Sequence, residues 1–569
     1  MRAAIFWVAV CAVFGVACAW LYYPVLDLPF DIDDRAALLD NEQVEGDLGV
    51  ILTGVYHPTG RPIGHLVRWM LYQFSGNDLS AYHALSVFLH AVNGLIAVLL
   101  ARALGWPRRV ALVSGLLFVI SVAPFKAVYH VASLEYLLAA GFSGLGLVHL
   151  LGGLRTDKLW RFALFTLLML ASVASHVASV ALIPVYGLVA WVRWHDVRRW
   201  VTHMGPLVVL AGGMVVTVLV AAAGNDISTT TGRSASRMLE EGILSTGYVT
   251  IRMYTWFVSQ LFTHGFAMPM APYTVIWWQS LIGGTLAVLG VSFAVHRIRS
   301  PEAILILCSL AALAPFSLQA EATISAVPGP SRYLYLATMG FCPLVASLLA
   351  RLATRSSVSA VVSTGALVVN SGIAQQEAIS LSQFTAGRAA SVRGQLEDSV
   401  RLLSCSMVAG RGVLPMNQVY SLLLSSKAEL DPAQALVTAD SLLLLDSEND
   451  LLSYVSRHLV SASVHANEDT SLAGDPHRLG RLTAPFLIAL ARHQTGRGEY
   501  ESALRNASLA LAQDPQLLKA RYLRGGLLLT FRDLRGLDDY VAGGQFELAG
   551  GRPPSMVAAR FKPVVEALR

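Results

Sequence analysis

Charged side chains are scarce in this sequence: Asp, Glu, Lys and Arg make up 14% of its 569 residues, whereas soluble domains carry about 25%. The shortage is concentrated before residue 375, where apolar runs of about 20 residues recur, each long enough to span a bilayer. This excludes a wholly soluble protein and predicts an integral membrane protein with a more polar C-terminal part. The net charge of +5 does not indicate nucleic-acid binding, because the excess arginines lie in short connections between apolar runs.

Cysteine is also rare, and its spacing fits neither a disulfide framework nor a zinc site. Four of the five cysteines lie in apolar runs, which indicates small buried hydrophobic side chains. The five are Cys11, Cys18, Cys308, Cys342 and Cys405. The first apolar run, residues 3–23, is longer than the core of a signal peptide, about 7–15 residues, so we expect a retained membrane helix.

The apolar runs predict an all-α fold that begins with a polytopic bundle of about eleven membrane helices. In chain order they cover residues 3–23, 82–104, 110–121, 129–151, 159–174, 177–194, 206–223, 275–296, 303–318, 333–350 and 358–373. Domain 1–374 would then be the membrane domain and 375–569 a second helical domain. An odd number of spans places that second domain on the side opposite the N-terminus.

Every second connection between the spans carries the arginines. There are five such connections, and in chain order their arginines are Arg102, Arg108 and Arg109; Arg155 and Arg161; Arg193, Arg198 and Arg199; Arg297 and Arg299; and Arg351 and Arg355. By the positive-inside rule these connections face the cytoplasm, as does the N-terminus. The remaining connections, 24–81, 124–130, 175–176, 224–274 and 319–331, are then expected outside, together with the C-terminal domain.

An acidic stretch opens the first outward connection: residues 28–41 read LPFDIDDRAALLDN. Its three close carboxylates, Asp31, Asp33 and Asp34, repel one another unless they are solvated, neutralised by a cation or partly protonated. At the mouth of a membrane bundle the cluster indicates a catalytic or metal-binding edge. A solvated acidic loop is the alternative, and the three residues alone do not decide between them.

Two further outward segments carry amphipathic patterns. In residues 61–74 the apolar side chains fall at helical spacing, with Arg61, His65, Arg68 and Gln73 largely on the other side. This predicts a helix that lies in the membrane interface with Trp69 as its anchor, or one that packs on the bundle. In 224–274 a basic residue, Arg252, stands among interfacial aromatics. It is expected either to bind a lipid phosphate or to extend to the headgroups as an anchor.

The C-terminal domain contains one readable helical repeat. The small and apolar positions of a 34-residue tetratricopeptide unit are occupied by Leu487, Leu490, Ala491, Ala503, Ala507, Ala510 and Pro515. Gly498 and Pro515 supply the turns. Because one repeat cannot bury its own face, further helical pairs are expected upstream, for example Ala433–Leu445 and Asp450–Ala462.

Several segments together resemble the GT-C superfamily of integral-membrane glycosyltransferases, and within it the branch of tetratricopeptide-bearing protein O-glycosyltransferases. The matching residues are Phe30, Asp33, Asp34 and Asn41, then Arg61, Pro62, Gly76, Tyr82, His83 and His90, then Pro124, Ala127, Val128 and Glu135, and finally Arg332 to Leu336. Two positions depart from the pattern: Lys126 stands where that branch has an acidic residue, and His176 where it has a basic or acidic one.

The resemblance implies transfer of a sugar from a polyprenyl-phosphate carrier to a hydroxyl of a protein or glycan. The acceptor needs a base; Asp33 or Asp34 is expected in that role, and Asp31 and Glu135 are further candidates. A divalent cation such as Mg²⁺ or Mn²⁺ would be held by Asp31 and Asp33. The departing phosphate needs permanent cations. The expected donor-binding residues are Arg332 with Tyr333, Arg252, Arg61 and His83.

The partners implied are the lipid-linked donor, the bilayer and an acceptor such as a pilin or another secreted protein, and the expected location is a bacterial inner membrane. The helical repeats would hold the acceptor polypeptide or another partner. Two alternatives stay open. One is transfer of a preassembled oligosaccharide from a diphosphate carrier, and the other is a non-catalytic membrane scaffold or lipid-glycan transporter.

Overall fold

A computed structural model of the chain describes residues 2–23, 26, 61–76, 78–121, 125–224, 243–265, 277–318, 332–353, 365, 372, 376, 379–380, 382–391, 393–409, 416–443, 455, 483–513 and 518–531. Every regular element within these ranges is helical, as the apolar and amphipathic patterns predict. The chain divides into two compact units. The first is Met1–Ser382 with Gly412–Leu414, and the second is Gln383–Arg411 with Pro415–Arg569.

The first unit is a helical bundle. Its helices are α1 (Arg2–Tyr22), α2 (Pro62–Ser75), α3 (Leu79–Ala103), α4 (Arg108–Ile120), α5 (Phe125–Tyr129), α6 (Leu134–Thr156), α7 (Leu159–Ser175), α8 (Leu182–Trp194), α9 (Val197–Gly224), α10 (Ile243–Gly265), α11 (Trp277–His296), α12 (Pro301–Leu313) and α13 (Tyr335–Ala353). Short 3₁₀ turns precede α6, α8 and α13, and another follows α12. The connection expected over 224–274 therefore contains a 23-residue helix, α10.

Five helical segments among the described residues are long and apolar enough to cross a membrane: Leu79–Ala103, Val131–Thr156, Val177–Trp194, Trp278–His296 and Arg332–Leu352. Three shorter apolar helices accompany them: Trp7–Tyr22, Leu159–Ser175 and Pro301–Ser317. The first unit is thus a membrane bundle by length and composition. The expected number of about eleven spans stays a prediction.

Helices α3 and α4 approach closely at two glycines. A Cβ on Gly115 would lie 2.6 Å from the carbonyl oxygen of Gly94, and one on Gly94 would lie 2.6 Å from the side chain of Val119. Small residues at helix contacts are common in membranes, where close backbone approach supplies the attraction that hydrophobic burial supplies in water. A larger side chain at either glycine would push the two helices apart.

A buried polar network joins four helices of the bundle. His90 Nε2 donates to the Val119 carbonyl at 3.1 Å, so its Nδ1 accepts from the Tyr335 hydroxyl at 2.9 Å. Asn93 donates to that hydroxyl oxygen at 3.0 Å and to the Leu137 carbonyl at 2.9 Å. These bonds connect α3 with α4, α6 and α13. Polar groups in an apolar medium need partners of this kind, and the network therefore fixes the mutual register of the helices.

The helix connections segregate to two ends of the bundle. Three contacts join connections at what we call the basic end: Arg199 with Asp157, Arg299 with His195, and Arg351 with Glu302. Five contacts define what we call the glutamate end: Glu135 with Arg61, Glu135 with Arg68, Tyr136 with His176, Phe316 with His176, and Arg332 with His130.

All connections at the basic end are among those expected in the cytoplasm, and those at the glutamate end are among those expected outside. The segregation is what an up-and-down bundle with this alternation of loop charge requires. The absolute orientation stays a prediction from loop charge.

Helix α2 turns its polar side, not its apolar side, toward the bundle. His65 and Arg68 are buried, whereas Met70 is exposed and Phe74 is 84% exposed. In water this arrangement would leave apolar surface uncovered. A helix lying in the membrane interface, one of the two alternatives drawn from its sequence, covers that surface with lipid.

The second unit is also helical, with α14 (Leu396–Ala409), α15 (Met416–Leu430), α16 (Pro432–Leu443), α17 (Ala484–Gly496), α18 (Tyr500–Gln513) and α19 (Leu518–Thr530). The repeat positions of α17 and α18 are all buried: Leu487, Leu490, Ala491, Ala503, Ala507 and Ala510. Gly498 adopts a φ of 79° in the turn between these helices, which glycine tolerates best.

Helix α16, Pro432–Leu443, overlaps the first expected upstream segment, Ala433–Leu445. The second expected segment, Asp450–Ala462, lies outside the described residues except for Val455, which is buried. Pro515 also lies outside them. The tetratricopeptide assignment therefore stays a prediction, and the described geometry is a stack of short helices around one apolar core.

Candidate functional site

A buried carboxylate at the glutamate end is held by two arginines. Glu135, in the first turn of α6, accepts a hydrogen bond from Arg68 Nη2 at 2.7 Å, and its second oxygen lies 3.5 Å from Arg61 Nη1. The Arg68 and Glu135 side chains are 2% and 3% exposed. Two ions at this depth are tolerated because they are paired, whereas removal of either would leave a buried charge without compensation. The pair therefore fixes α2 against α6.

The local sequence of α2 makes this pair possible. Pro62 starts the helix at a position where no backbone N–H is needed, and Arg61 is the residue just before it. Gly64 faces α6 so closely that a Cβ there would lie 2.4 Å from Cγ of Glu135. Arg68 follows one turn further on and also donates to His65 Nδ1 at 3.4 Å. Glycine suits position 64 because Cγ of Glu135 occupies the place where a Cβ would lie.

Arg332 lies beside a neutral histidine. Its Nη1 donates to Nδ1 of His130 at 3.3 Å, and the Ser133 hydroxyl is 2.9 Å from the same nitrogen. Because arginine only donates, that nitrogen must carry a lone pair. Burial, and then the charges of Arg332, Lys126 and His83, hold the pKa of His130 well below its usual value. Four basic side chains thus lie within electrostatic range of one another.

His176 brings the two arginine sites together. Its Nδ1 accepts from the Ala178 N–H at 3.2 Å, so this ring is also neutral. Burial is the first cause that holds the pKa of His176 well below its usual value, and the charges of Arg61 and Arg332 act in the same direction, while Glu135 opposes them. The pKa of His176 is therefore affected both by the Glu135 cluster and by Arg332.

Four aromatic rings form what we call the aromatic wall beside Arg332: Tyr333, Phe316, Phe257 and Tyr136. The Tyr333 ring lies 4.9 Å from Phe316, 5.9 Å from Phe257 and 6.1 Å from Tyr136, centroid to centroid. The Arg332 guanidinium stands 5.5 Å above the Tyr333 ring, within cation–π range. The contact with Tyr333, itself held by the other three rings, helps to preorganise the Arg332 guanidinium at the end of the bundle.

Arg252 occupies a different surface, an open groove of about 510 Å³ between α10 and α11. The groove is largely apolar, and Thr255 and Ser280 are among its few polar lining residues. Both hydroxyls donate to the Arg252 carbonyl, at 3.0 Å and 3.3 Å. Later in the same helix, Phe257 contacts the Tyr333 ring, so α10 connects the groove to the glutamate end.

The structure brings together most of the described residues that the sequence assigned to the site. Arg61, Glu135, Arg332 and Tyr333 lie at the glutamate end, and His83 lies within electrostatic range of His130. Arg252 lies on the groove beside it.

Asp31, Asp33 and Asp34 lie outside the described residues. Within the described ranges no group of three or more His, Cys, Asp or Glu side chains is arranged to hold a metal ion. The one described carboxylate of the site, Glu135, is occupied by two guanidinium groups. The divalent-cation prediction therefore depends on the acidic stretch and stays a prediction.

Residues from separate motifs that carry the family resemblance contact one another in the structure. His90 and Tyr335, from segments 245 positions apart, share a hydrogen bond. Gly76 and Tyr82 are also joined, because the Tyr82 hydroxyl donates to the Gly76 carbonyl at 2.9 Å. Gly76 has a φ of 57°, which permits the abrupt end of α2. The spacing of these motifs therefore has a structural reason within this chain.

Five residues of the site were not predicted from the sequence as site members: Arg68, Lys126, His130, Tyr136 and His176. A signal was available for Arg68, since an arginine in the middle of a helix with one buried side needs a partner. Lys126 and His176 were noted only as departures from the motif. His130 and Tyr136 stand in an apolar run without any distinctive spacing, and only the folded chain brings them to Arg332 and Tyr333.

No protein-family model matches this chain, and no curated protein matches it. Two solved structures are similar over part of their length. One is the Archaeoglobus fulgidus oligosaccharyltransferase tethered to an acceptor peptide that contains the NVT sequon, with a TM-score of 0.38 and 13% identity over 65% of this chain. The other is ArnT from Cupriavidus metallidurans bound to undecaprenyl phosphate, with a TM-score of 0.36 and 14% identity over 89% of this chain.

The chain spans 55% of the length of the oligosaccharyltransferase chain and 80% of that of ArnT. At these TM-scores and identities no residue role passes from either protein to this one.

Proposed function

We propose that this protein is a membrane glycosyltransferase that moves a sugar from a polyprenyl-phosphate carrier to a hydroxyl of a protein or glycan on the outward side. The observation that carries the proposal is the position of Arg332. It meets neutral His130 at the end of the bundle where the connections expected outside converge. A guanidinium keeps its charge at neutral pH, and a permanent cation at this end of the bundle can stabilise a departing phosphate.

The surroundings of Arg332 support an anion as the ligand. Lys126 and His83 act on the same histidine as Arg332, and Arg61 acts with Arg332 on His176. Arginine and lysine keep their charge at neutral pH, and in a site sheltered from water their attraction for a phosphate is strengthened. A lipid carrier suits such a site because its phosphate remains at the membrane surface while its prenyl tail stays in the bilayer.

The groove at Arg252 is our proposed route for the prenyl tail. It is open to the side of the bundle, lined mainly by apolar side chains, and its helix continues to the aromatic wall at Tyr333. A phosphate carried along this groove would pass from Arg252 toward Arg332. On this route Arg252 and then Arg332 would bind the phosphate of the same lipid-linked donor.

In the proposed reaction a carboxylate of the acidic stretch, Asp33 or Asp34, takes the proton of the acceptor hydroxyl. The acceptor oxygen forms the new bond to the anomeric carbon of the sugar, and the bond from that carbon to the carrier phosphate oxygen breaks. The carrier leaves as a phosphate anion, stabilised by Arg332. Glu135 would act at a distance from the reacting atoms, because Arg68 and Arg61 hold it in place.

The second unit is proposed to bind the acceptor polypeptide. Short stacked helices give extended surfaces suited to peptide recognition. A secreted protein such as a pilin fits an enzyme whose catalytic end and helical repeats are both expected outside.

The test is mass spectrometry of envelope and secreted proteins from a strain deleted for this chain and complemented with single variants. Asp33→Asn/Asp34→Asn and Arg332→Gln should each reduce the glycosylated fraction at least about a hundredfold. Arg109→Gln, which changes an exposed arginine of a connection expected in the cytoplasm, is the matched control and should leave it unchanged.

Unchanged glycosylation in both site variants, at normal membrane levels, would exclude the transferase and favour the scaffold. A mass increment of several sugars transferred together would instead favour the diphosphate-linked oligosaccharide reaction.

A further inference from the structure

His130 lies between α5 and α6 and is held in place by its own backbone. Its N–H donates to the Lys126 carbonyl at 3.1 Å, and its carbonyl accepts from the Ser133 N–H at 2.9 Å. It directly precedes the 3₁₀ turn Val131–Ser133, and residues three apart in such a turn lie on the same side. The Ser133 hydroxyl therefore reaches Nδ1 of the ring, at 2.9 Å. The ring is completely buried, and these bonds fix its orientation.

The fixed ring contacts the tip of Arg332, which comes from a distant segment of the chain. Nη1 of the guanidinium donates to Nδ1 of His130 at 3.3 Å. Because Nδ1 accepts from both Arg332 and Ser133, its lone pair is occupied and does not serve to take the proton of an acceptor hydroxyl. The contribution of this nitrogen is therefore to the position of Arg332.

Arg332 and Arg68 have different partners at the same end of the bundle. Arg68 donates to the carboxylate of Glu135 at 2.7 Å and its side chain is 2% exposed, so an incoming anion would have to displace a charged acceptor. Arg332 is partly exposed, and His130 offers it an acceptor that carries no charge. An uncharged acceptor can hold a guanidinium without adding a negative charge that would compete with a phosphate.

The base of the Arg332 side chain is held as well as its tip. The next residue, Tyr333, belongs to the aromatic wall, and the hydroxyl of Tyr335 donates to Nδ1 of His90 at 2.9 Å. A long side chain loses rotamer freedom when it binds a ligand, and it loses less if it is already held in the bound orientation. His130 completes this arrangement, because it holds the end that would contact the ligand.

We propose that His130 is the positioning residue of Arg332, and that it holds the guanidinium in the orientation that receives the phosphate of the lipid-linked donor. This role rests on the function proposed above, in which Arg332 binds that phosphate. The consequence is selective. Loss of the acceptor at Nδ1 weakens binding of the carrier through its phosphate and leaves binding of its prenyl tail unchanged.

The test is native mass spectrometry of the purified full-length protein titrated with undecaprenyl phosphate or with undecaprenol, which lacks the phosphate. His130→Leu places a carbon where Nδ1 lies, and it should lower the affinity for undecaprenyl phosphate about fivefold without changing that for undecaprenol. His130→Asn offers an amide oxygen on the same branch and should recover most of the loss. The matched control is His203→Leu, since His203 in α9 stacks on Phe162 at 4.5 Å, and it should change neither affinity.

A second variant separates this role from the function on which it rests. Arg332→Gln alone should lower the affinity for undecaprenyl phosphate about tenfold or more. The double variant His130→Leu/Arg332→Gln should bind as Arg332→Gln does, because His130 acts only through Arg332.

Unchanged undecaprenol binding also shows that each variant is folded. Additive losses in the double variant, equal losses for the two lipids in His130→Leu, or no recovery in His130→Asn would each overturn the positioning role and leave the proposed function standing. Unchanged binding of undecaprenyl phosphate by Arg332→Gln would instead contradict the proposed function, and the positioning role with it.

Discussion

The two ends of the bundle hold the same kinds of ion pair in different surroundings. At the glutamate end, Arg68 and Glu135 are almost completely buried and 2.7 Å apart. At the basic end, Arg199 and Asp157 are 3.6 Å apart and their side chains are 55% and 62% exposed. Water weakens the second pair, and its long side chains lose freedom when they meet. The first pair lacks water, so each ion depends on the other.

The difference between the two pairs shows that charge is buried at the glutamate end and exposed to water where Arg199 meets Asp157. The exposed pair of Arg199 and Asp157 at the basic end is expected to contribute little to stability. Buried ions and neutral histidines at the glutamate end form a preorganised site, because Glu135, His130 and His176 are each held by a hydrogen bond to a neighbour. Preorganised buried groups of this kind are what an enzyme needs in order to stabilise charge that develops during a reaction.

The largest effect is expected when the buried pair is broken. Glu135→Ala leaves Arg68 buried without its anion and should lower the free energy of unfolding by about 3–5 kcal/mol. The measurement is a denaturant titration in detergent micelles. The double variant Glu135→Leu/Arg68→Met should recover most of the loss, because it removes both charges together. A loss below about 1 kcal/mol for Glu135→Ala would contradict the difference between the two ends.

A smaller effect is expected from a single methyl group between α2 and α6. Gly64→Ala would place a Cβ 2.4 Å from Glu135 Cγ, and the required shift should cost about 1–3 kcal/mol of unfolding free energy. Gly15→Ala is the matched control, since a Cβ there meets nothing within 4 Å. Thermal unfolding of the two variants should separate them. Equal midpoints would mean that α2 does not pack on Glu135 as described.

The neutral histidines predict a dependence of stability on pH. The pKa values of His130 and His176 are held well below the usual value in the folded protein, mainly by burial. In the unfolded chain both take up a proton near pH 6.5, so the unfolded state binds more protons below that pH. Stability should therefore fall by about 1 kcal/mol for each of the two histidines between pH 6.5 and 5.5.

The control for this pH dependence is a histidine at the other end. His176→Gln should flatten the loss of stability below pH 6.5, whereas His195→Gln, in the exposed turn between α8 and α9, should not. Unfolding midpoints recorded from pH 7.5 to 5.5 give the comparison. Parallel curves for His176→Gln and the wild type would show that this ring is not neutral in the folded state.

The smallest effect is expected at the exposed pair. Asp157→Asn should change the free energy of unfolding by no more than about 0.5 kcal/mol, since exposed ion pairs contribute little. The same denaturant titration measures it beside Glu135→Ala. A loss comparable to that of Glu135→Ala would remove the distinction between the two ends.

Sequence reasoning was most successful where one physical rule dominates. Apolar length predicted a helical membrane bundle, and alternation of arginine-bearing connections predicted which turns would meet, as the contacts at both ends illustrate. The structure joins Arg61 to Glu135 and places Arg332 over Tyr333, while the site roles assigned to these residues stay predictions. Each of these is a polar residue at the end of an apolar run, where few other interpretations are available.

Sequence reasoning was less successful where tertiary contacts decide. Residues 61–74 predicted a helix with two sides but not which side faces the protein, because in a membrane an apolar side can face lipid. The pairing of Arg68 with Glu135 decides it. Helix α10 was seen only as an amphipathic segment of a connection, since Arg252, Tyr254 and Thr255 interrupt its apolar run. His130 lacked any periodic signal, and its role depends on Arg332 from a distant segment.

The most direct test of the account is the position of the carrier phosphate. An experimental structure of the protein with a polyprenyl phosphate in a lipid nanodisc should place phosphate density within hydrogen-bond distance of the Arg332 guanidinium, on the same side of the membrane as Asp33. Phosphate density at the basic end, or a glutamate end closed to the carrier with Asp33 on the opposite side of the membrane, would contradict it.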